Sequence, residues 1–512
     1  MNKRTFFIAF TVSLGGFLFG FDAGIISGVM VYAGPYFSLD DAQIGWATSC
    51  PTFIAMFAML ISGKLSDSIG RKPILIVVAF LYALSAILSA YAVSYEMLYT
   101  ARMIGGVAFG SALILAPTYI AEIAGAENRG KLVAIQQLNI VLGFFAAFLS
   151  NYYFNKYYTG GAEFLTDKNV WRWMLGVEAL PALLYFVALF FVPKSPRWLF
   201  AQNRADEGRQ VLKQLHGEET AVTESEAIEK SLNEESNIER ASFLELLKPS
   251  LRFILGIGLL IGILQQATGI NAIYFYATSI FKQTGIGTNS AFTQGVLLSF
   301  TSVIFTIVAM FTIDRIGRRP LMLFGIGGIA VSLLLCSYGF GQAKYQLSPE
   351  KAAEITGVQQ EDLAELSSLS FKNDVEFKGK MKGLLGSDLY AKKEGAILEA
   401  AIEMNAIIVL IGVLGFIACF ALSLGPVMWV MLSEMYPNKI RGLAIGCIGL
   451  VNSFTAWLVT QIFPWELSNL GNSMSFLIFG GIALVGTFVL FKTLPETKGK
   501  SLEELETELI KN

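Results

Sequence analysis

GKLSDSIGRK (residues 63–72) is the stretch that decides the fold, because a shortened copy of it, DRIGRR, returns at residues 314–319. Each copy follows an apolar run long enough to cross a bilayer as a helix, residues 44–61 before the first and 292–313 before the second. The repetition continues outward from these loops. Glu122 precedes Arg129 by seven residues, and Glu434 precedes Arg441 by seven. Asp67 and Glu122 lie 55 residues apart and Asp314 and Glu434 lie 120 apart, and a polar interval at 342–400 supplies nearly all of the excess. Two copies of one six-helix unit, the second interrupted, account for this spacing.

The composition agrees. The 512 residues are 54% hydrophobic and only 15% charged, with a mean hydropathy of +0.56, too little charge to cover a soluble protein of this size. Apolar residues fall in blocks of membrane-spanning length: 6–31, 44–61, 73–93, 97–120, 132–153 and 173–192, then 253–281, 292–313, 321–340, 406–431, 443–463 and 474–491. The expectation is an all-α integral membrane protein, with twelve transmembrane helices in two pseudo-symmetric six-helix bundles. The bundles are expected at residues 1–193 and 251–492. A linker at 194–250 carries short amphipathic helices, and a tail follows at 493–512. Ser348 and Pro349 read as the start of a helix in the 342–400 insertion, which is expected to form a small cap. The basic Met1 to Arg4 start leads into a run too long for a cleavable signal, so the first span is expected to be its own insertion signal.

Several function classes fall away. The four cysteines (Cys50, Cys336, Cys419, Cys447) lie inside spans, which argues against a disulfide framework. A single histidine, His216, in a charged loop leaves no His-based metal site or triad. No enzyme activity, metal, cofactor or nucleic-acid partner is expected, and protein partners are not legible. Lys and Arg set the orientation. Loops after even-numbered spans carry Lys64, Arg71, Lys72, Arg129, Lys131, Arg315, Arg318, Arg319, Lys439 and Arg441, whereas the short loops after odd-numbered spans carry Lys156, Lys168, Arg172 and Lys282. Both termini are therefore expected on the cytoplasmic side of a bacterial inner membrane. Duplicated units of this kind form the two halves of alternating-access transporters, with the substrate near the bilayer midplane.

An ionisable side chain inside a span is costly, and so a functional candidate. Asp22 lies in GFDAGIISG, Arg102 in ARMIGG and Glu178 in WRWMLGVEALPA. Protonating a carboxylate that faces an arginine would release the arginine and alter helix packing, which couples a proton to a conformational change. The competing reading is a static buried pair. Uncharged polyols require donors and acceptors together, with an aromatic face for the ring. Gln137, Gln265, Gln266, Asn271, Trp429 and Asn452 fit that need, with interhelical hydrogen bonding and packing as the alternatives. Gln266 and Asn271 share a face only if the helix is distorted at Gly269, and Gly425-Pro426 should break the tenth span before Trp429. Asp67, Arg71, Glu122, Arg129, Asp314, Arg318, Glu434 and Arg441 read as a cytoplasmic gate of ion pairs across the inner face.

These motifs together resemble the sugar porter family of the major facilitator superfamily: GKLSDSIGRK, RGKL at Arg129, WRWMLGVEALPA, PKSPRWL at Pro193, QQATGINAIYFY at Gln265, DRIGRRP, GPVMW at Gly425, SEMYPNKIRG and PETKGKS at Pro495. The resemblance covers nearly the whole chain except the 342–400 insertion. It implies a monosaccharide or polyol substrate, with sugar contacts at Gln137, Gln265, Gln266, Asn271 and Trp429. Asp22 stands where proton-coupled members carry aspartate, so the chain is similar to bacterial xylose, galactose and arabinose symporters. Phe275, Ser302 and Ser453 depart from the pattern, at positions where the family often has tyrosine, asparagine and tryptophan. The alternatives are a facilitative uniporter with a static Asp22 and a transport-inactive sugar sensor. The second is disfavoured by the short stretch after the last span.

Overall fold

Among the described residues, twelve helices are long and apolar enough to cross a membrane. Spans 1 to 6 are Lys3–Tyr36, Asp41–Ile69, Arg71–Ala90, Tyr95–Ile123, Gly130–Thr159 and Val170–Phe190. Spans 7 to 12 are Pro249–Phe275, Thr288–Ile313, Arg318–Gly341, Ala406–Met435, Lys439–Asn469 and Gly471–Thr493. All twelve expected spans are present, because in hydrocarbon a helix is the element that satisfies its own backbone. The structure is a computed structural model and describes residues 3–125, 129–236, 243–347, 349–355, 370–371, 373–498 and 504.

The helices pack into two compact units. One comprises Met1–Gly24, Cys50–Ala147 and Leu175–Glu245, and its core is built on Val12, Leu75, Tyr82, Leu115, Tyr119 and Tyr185. Without a hydrophobic drive between helices in lipid, close approach must come from small residues. A Cβ on Gly20 would lie 1.9 Å from the Ile140 carbonyl oxygen, and one on Gly143 would lie 2.0 Å from that of Phe17, so spans 1 and 5 touch backbone to backbone. The expected linker helices occur as Pro196–Ala201, Ala205–His216 and Glu218–Ser236. Leu212 and Leu215 are buried, and Thr5 donates to the Leu215 carbonyl at 3.1 Å.

The other unit comprises Ile25–Ser49, Phe148–Met174 and Leu246–Asn512. It therefore takes up the ends of spans 1, 2 and 5 that adjoin residues 37–40 and 160–169, in addition to spans 7–12. Polar contacts fasten those ends to it: Ser27 to Thr278 at 2.9 Å, Asn155 to Asn289 at 2.7 Å and Ser49 to Gln461 at 2.8 Å.

Spans 6, 7 and 10 are interrupted, each for a local reason. Span 6 splits into Val170–Gly176 and Ala179–Phe190, because Pro181 has no N–H for the Val177 carbonyl. Span 7 breaks at Gly269, which takes a left-handed φ of 89°, as the Gln266–Asn271 spacing required. Span 10 breaks at Ser423, where Pro426 cannot donate to the Leu422 carbonyl. The expected break before Trp429 is therefore present, three residues ahead of the proline.

The insertion between spans 9 and 10 contains the only β structure among the described residues. β1 (Lys344–Gln346) lies between β2 (Ser370–Phe371) and β3 (Ile402–Glu403), antiparallel to both, with Tyr345 opposite Phe371 and Ile402. Helices Asp374–Leu385 and Ser387–Ala401 close over it on a core of Phe377, Met381, Tyr390, Ile397 and Leu398. A short helix, Pro349–Glu354, begins where one was expected, while Ser348, the expected cap, lies outside the described residues.

Candidate functional site: a buried acid–base cluster, an amide cluster and paired charged loops

Asp22, Arg102 and Glu178 are all buried, at 4%, 2% and 3% exposure. Arg102 Nη1 lies 3.3 Å from Asp22 Oδ1. Gly20 brings span 1 against span 5 two residues before Asp22, and Gly105 keeps span 4 slim beside it; a Cβ there would lie 2.7 Å from Ser85 Oγ and 3.9 Å from Asp22 Oδ1. Glu178 enters at the break that Pro181 creates in span 6, and feels the charge of both Asp22 and Arg102. The three expected ionisable residues thus converge, two carboxylates and one guanidinium in a setting where a lone charge costs several kcal/mol.

The amides form a second cluster, in the other unit. Gln265 donates to the Leu424 carbonyl at 2.9 Å, beside the span 10 break, and accepts from Asn452 Nδ2 at 2.7 Å. Asn452 also donates to the Gly262 carbonyl at 2.8 Å. Gln266 Nε2 reaches Gln265 Oε1 and Asn452 Oδ1, each at 3.3 Å, while its own Oε1 is buried without a partner. Asn271 is half-buried beyond the Gly269 kink. Trp429 is 43% exposed, two residues past Val427 on the second half of span 10. Gln137, in the first unit, is exposed, next to a buried Gln136. At the departures from the family pattern, Phe275 and Ser302 are buried, and the neighbouring Tyr274 hydroxyl bonds to Ser302.

The charged loops repeat each other in three dimensions. Gly70 (φ 103°, ψ 155°) and Gly317 (φ 108°, ψ 159°) adopt one conformation, open only to glycine, at the same place in the two motifs. The next residue does the same work in each. Arg71 binds Glu122 at 2.9 Å and the Ser66 carbonyl at 3.0 Å, and Arg318 binds Glu434 at 2.9 Å and the Ile313 carbonyl at 3.3 Å. Lys72 caps the Phe190 carbonyl at the end of span 6, and Arg319 caps that of Phe491 near the end of span 12. Asp67 pairs with Arg71 at 2.9 Å. Each of these pairs lies within its own half, one of the pairings that the charged residues of the inner face left open. The geometry explains this, since a turn at Gly70 or Gly317 returns the following arginine onto its own half's glutamate. Arg441 instead donates to the Tyr436 carbonyl at 3.1 Å. The side chains of Arg129 and Asp314 lie outside the described residues.

Sequence reasoning missed part of this. Thr497 donates to Glu434 at 2.6 Å, and Glu496 accepts from the backbone N–H groups of Arg318 and Arg319 at 3.2 and 3.3 Å. The PETKGKS motif is therefore a clasp on the second charged loop, a role its proximity to span 12 alone does not signal. Ser27, Thr278, Asn155 and Asn289 carry no motif, and only the small residues beside them, such as Gly28, mark the close packing.

The Sugar (and other) transporter family matches residues 8–357 and 384–509 of the chain. The chain is 32% identical over 504 residues to the arabinose-proton symporter of Bacillus subtilis (strain 168), spanning 98% of this chain and 95% of that protein. It is 29% identical over 537 residues to the D-xylose-proton symporter of Escherichia coli (strain K12), spanning 99% and 96%. A solved structure of the xylose transporter XylE from E. coli, in an inward open conformation, matches with a TM-score of 0.76 at 27% identity, covering 98% of this chain and 99% of that one. With twelve spans, duplicated loops and a family match along nearly its whole length, the chain belongs to the sugar transporter family of the major facilitator superfamily, a multi-pass membrane transporter and not an enzyme.

Proposed function

We propose that the protein imports a monosaccharide or polyol together with a proton, by alternating access, across a bacterial inner membrane with both termini in the cytoplasm. The observation that carries this reading is the buried Asp22–Arg102 pair with Glu178 beside it. Asp22 pairs with the Arg102 guanidinium and Glu178 adds a second carboxylate that feels both charges, so the cluster is closest to neutral when it holds one proton, and a proton arriving at Asp22 loosens its hold on Arg102. That event changes how spans 1 and 4 attract each other, which is the link from proton to helix movement. The names of the arabinose and xylose relatives, both proton symporters, support the same reading.

Sugar recognition falls to the amides. Gln265 and Asn452 are already occupied with each other and with backbone carbonyls, which supports a role in holding span 11 to the kinked spans 7 and 10. Gln266, with its unpartnered oxygen, together with Asn271, Gln137 and the exposed Trp429 face, has capacity left for hydroxyls and a ring. Asp67, Arg71, Glu122, Arg318, Glu434 and Arg441, with Arg129 and Asp314, form the cytoplasmic gate, its ion pairs stiffening the inner ends of each half.

The test is uptake of labelled xylose, glucose, galactose, arabinose, fructose and inositol into transport-deficient cells, with and without a protonophore. Saturable accumulation of one sugar that collapses with the protonophore is the expected result. Equilibration indifferent to the protonophore would instead make the protein a uniporter and Asp22–Arg102 a static pair.

A further inference from the structure

Residues 358–383 of the 342–400 insertion are not matched by the family, and the insertion is bolted to the part of the molecule that must move. Beyond the Gly269 kink, span 7 breaks again at Tyr276 (φ −114°, ψ 13°) and continues as a separate short helix, Ala277–Lys282. A helix between two breaks has no stiff covalent support, so its position is set by what holds its ends. One end carries Thr278, which exchanges hydrogen bonds of 2.9 and 3.0 Å with Ser27, on the half of span 1 that the orientation proposed above puts outside. The other end carries Lys282 and Gln283. Lys282 Nζ lies 2.9 Å from Glu394 Oε2, and Gln283 Nε2 donates to Glu394 Oε1 at 3.3 Å, so both carboxylate oxygens of one cap residue grip the segment.

Glu394 is itself anchored. Its helix, Ser387–Ala401, and the strand residue that follows cover the next turn, where a Cβ on Gly285 would lie 3.4 Å from the Leu398 carbonyl oxygen and 3.0 Å from Ile402 Cβ. The other cap helix is pinned to the turn between spans 11 and 12. Asp374 Oδ2 accepts from Asn472 N at 3.0 Å and Nδ2 at 2.8 Å and pairs with Lys378 at 3.4 Å, and a Cβ on Gly471 would lie 2.4 Å from Asp374 Oδ1. Lys378 in turn attracts Glu394. A continuous polar line thus runs from the start of span 12, through the cap, to the tip of span 7.

We propose that Glu394 is a positioning residue for transport: through Lys282 and Gln283 it holds the outer segment of span 7 against Ser27, and so sets how readily the outer side opens to sugar. The inference rests on the transport reading above. Burial alone would push the Glu394 carboxyl up, but Lys282 and Lys378 outweigh it and hold it below the usual carboxylate range. A depressed carboxylate contributes above its unfolded pKa and loses that contribution only as pH falls through the folded value, so the clamp stays intact between roughly pH 5 and 8. It is a mechanical brace and not the proton switch.

Uptake and efflux of the carried sugar in cells separate this role from a merely structural one. Glu394→Gln and Lys282→Met should each lower the external KM, and slow efflux of preloaded sugar, by about threefold as the population shifts toward the outward-open form. The pH profile of uptake should not move. The exchange Lys282→Glu with Glu394→Lys should restore both values. A second readout needs no sugar: an impermeant maleimide should label Ser27→Cys faster when Glu394→Gln is added. An unchanged or raised external KM, or an unchanged labelling rate, would overturn the inference. Absence of transport by the parent protein would instead strike the transport reading, leaving the labelling rate to decide the brace.

Discussion

In the first half of the chain the spans bury three ionisable side chains, Asp22, Arg102 and Glu178, along with amides such as Asn139 and Asn151; in the second the polar cluster inside the spans is made of amides alone, the buried Gln265 and Asn452 with the half-buried Gln266. The contrast is not one of stability. A charge at the bilayer centre costs about 2.5–3.5 kcal/mol on insertion scales, whereas an interhelical hydrogen bond returns about 0.6 kcal/mol. Amides that bond one another and the backbone at broken helices are nearly neutral for folding and well suited to a neutral hydroxylated ligand. Three buried ionisable groups are not, and their retention points to work that only a charge can do. Proton in the first half, and most of the sugar recognition in the second, is the division this difference supports.

The comparison breaks most visibly at Arg102. Arg102→Met strands two buried carboxylates and should cost about 3–5 kcal/mol, read as lost thermal stability of the detergent-solubilised protein. Adding Asp22→Asn should recover part of the loss, since one stranded charge disappears. Next in size is Asp22→Asn alone, which should reduce proton-driven accumulation about a hundredfold while leaving sugar counterflow measurable, because the amide cluster is untouched. On the other side of the comparison, Gln266→Ala should raise KM about tenfold with little change in the accumulation ratio, the cost of one hydrogen bond to a sugar hydroxyl. Smallest of all, Glu434→Gln should change the maximal rate about threefold without moving KM, as the Arg318 pair keeps some exposure to solvent and only stiffens a loop.

The sequence carried most of this architecture because lipid makes the rules simple. A span must be long and apolar, a duplicated loop must serve a duplicated unit, and a proline or a kink glycine must break a helix, so the spans and the interruptions at Gly269 and Ser423 were legible. The break at Glu178 rests on the same chemistry through Pro181, but there the glutamate drew attention and the proline did not. The charged-loop residues were legible, with Arg71 open to Asp67 or Glu122 and Glu434 open to Arg318, but not which of the several possible pairings is made. Whether Arg71 meets Glu122 or a residue of the other half depends on the turn at Gly70, which is a property of three-dimensional approach. The sheet of the cap was not legible at all, since strands of two and three residues show no periodicity and are held by tertiary contacts of Tyr345 and Phe371. The amide roles were half legible. The residue types announced a polar site, but only the hydrogen bonds distinguish Gln265, spent on the Leu424 carbonyl, from Gln266, with an oxygen to spare.

The central claim, that Asp22 carries the coupling proton, is tested most directly by the external pH of a weakly buffered suspension of de-energised cells when sugar is added. Alkalinisation by cells with the parent protein and none with Asp22→Asn, while the variant still exchanges labelled sugar, is the result expected. Sugar entry without alkalinisation in the parent, or undiminished alkalinisation in the variant, would contradict the account.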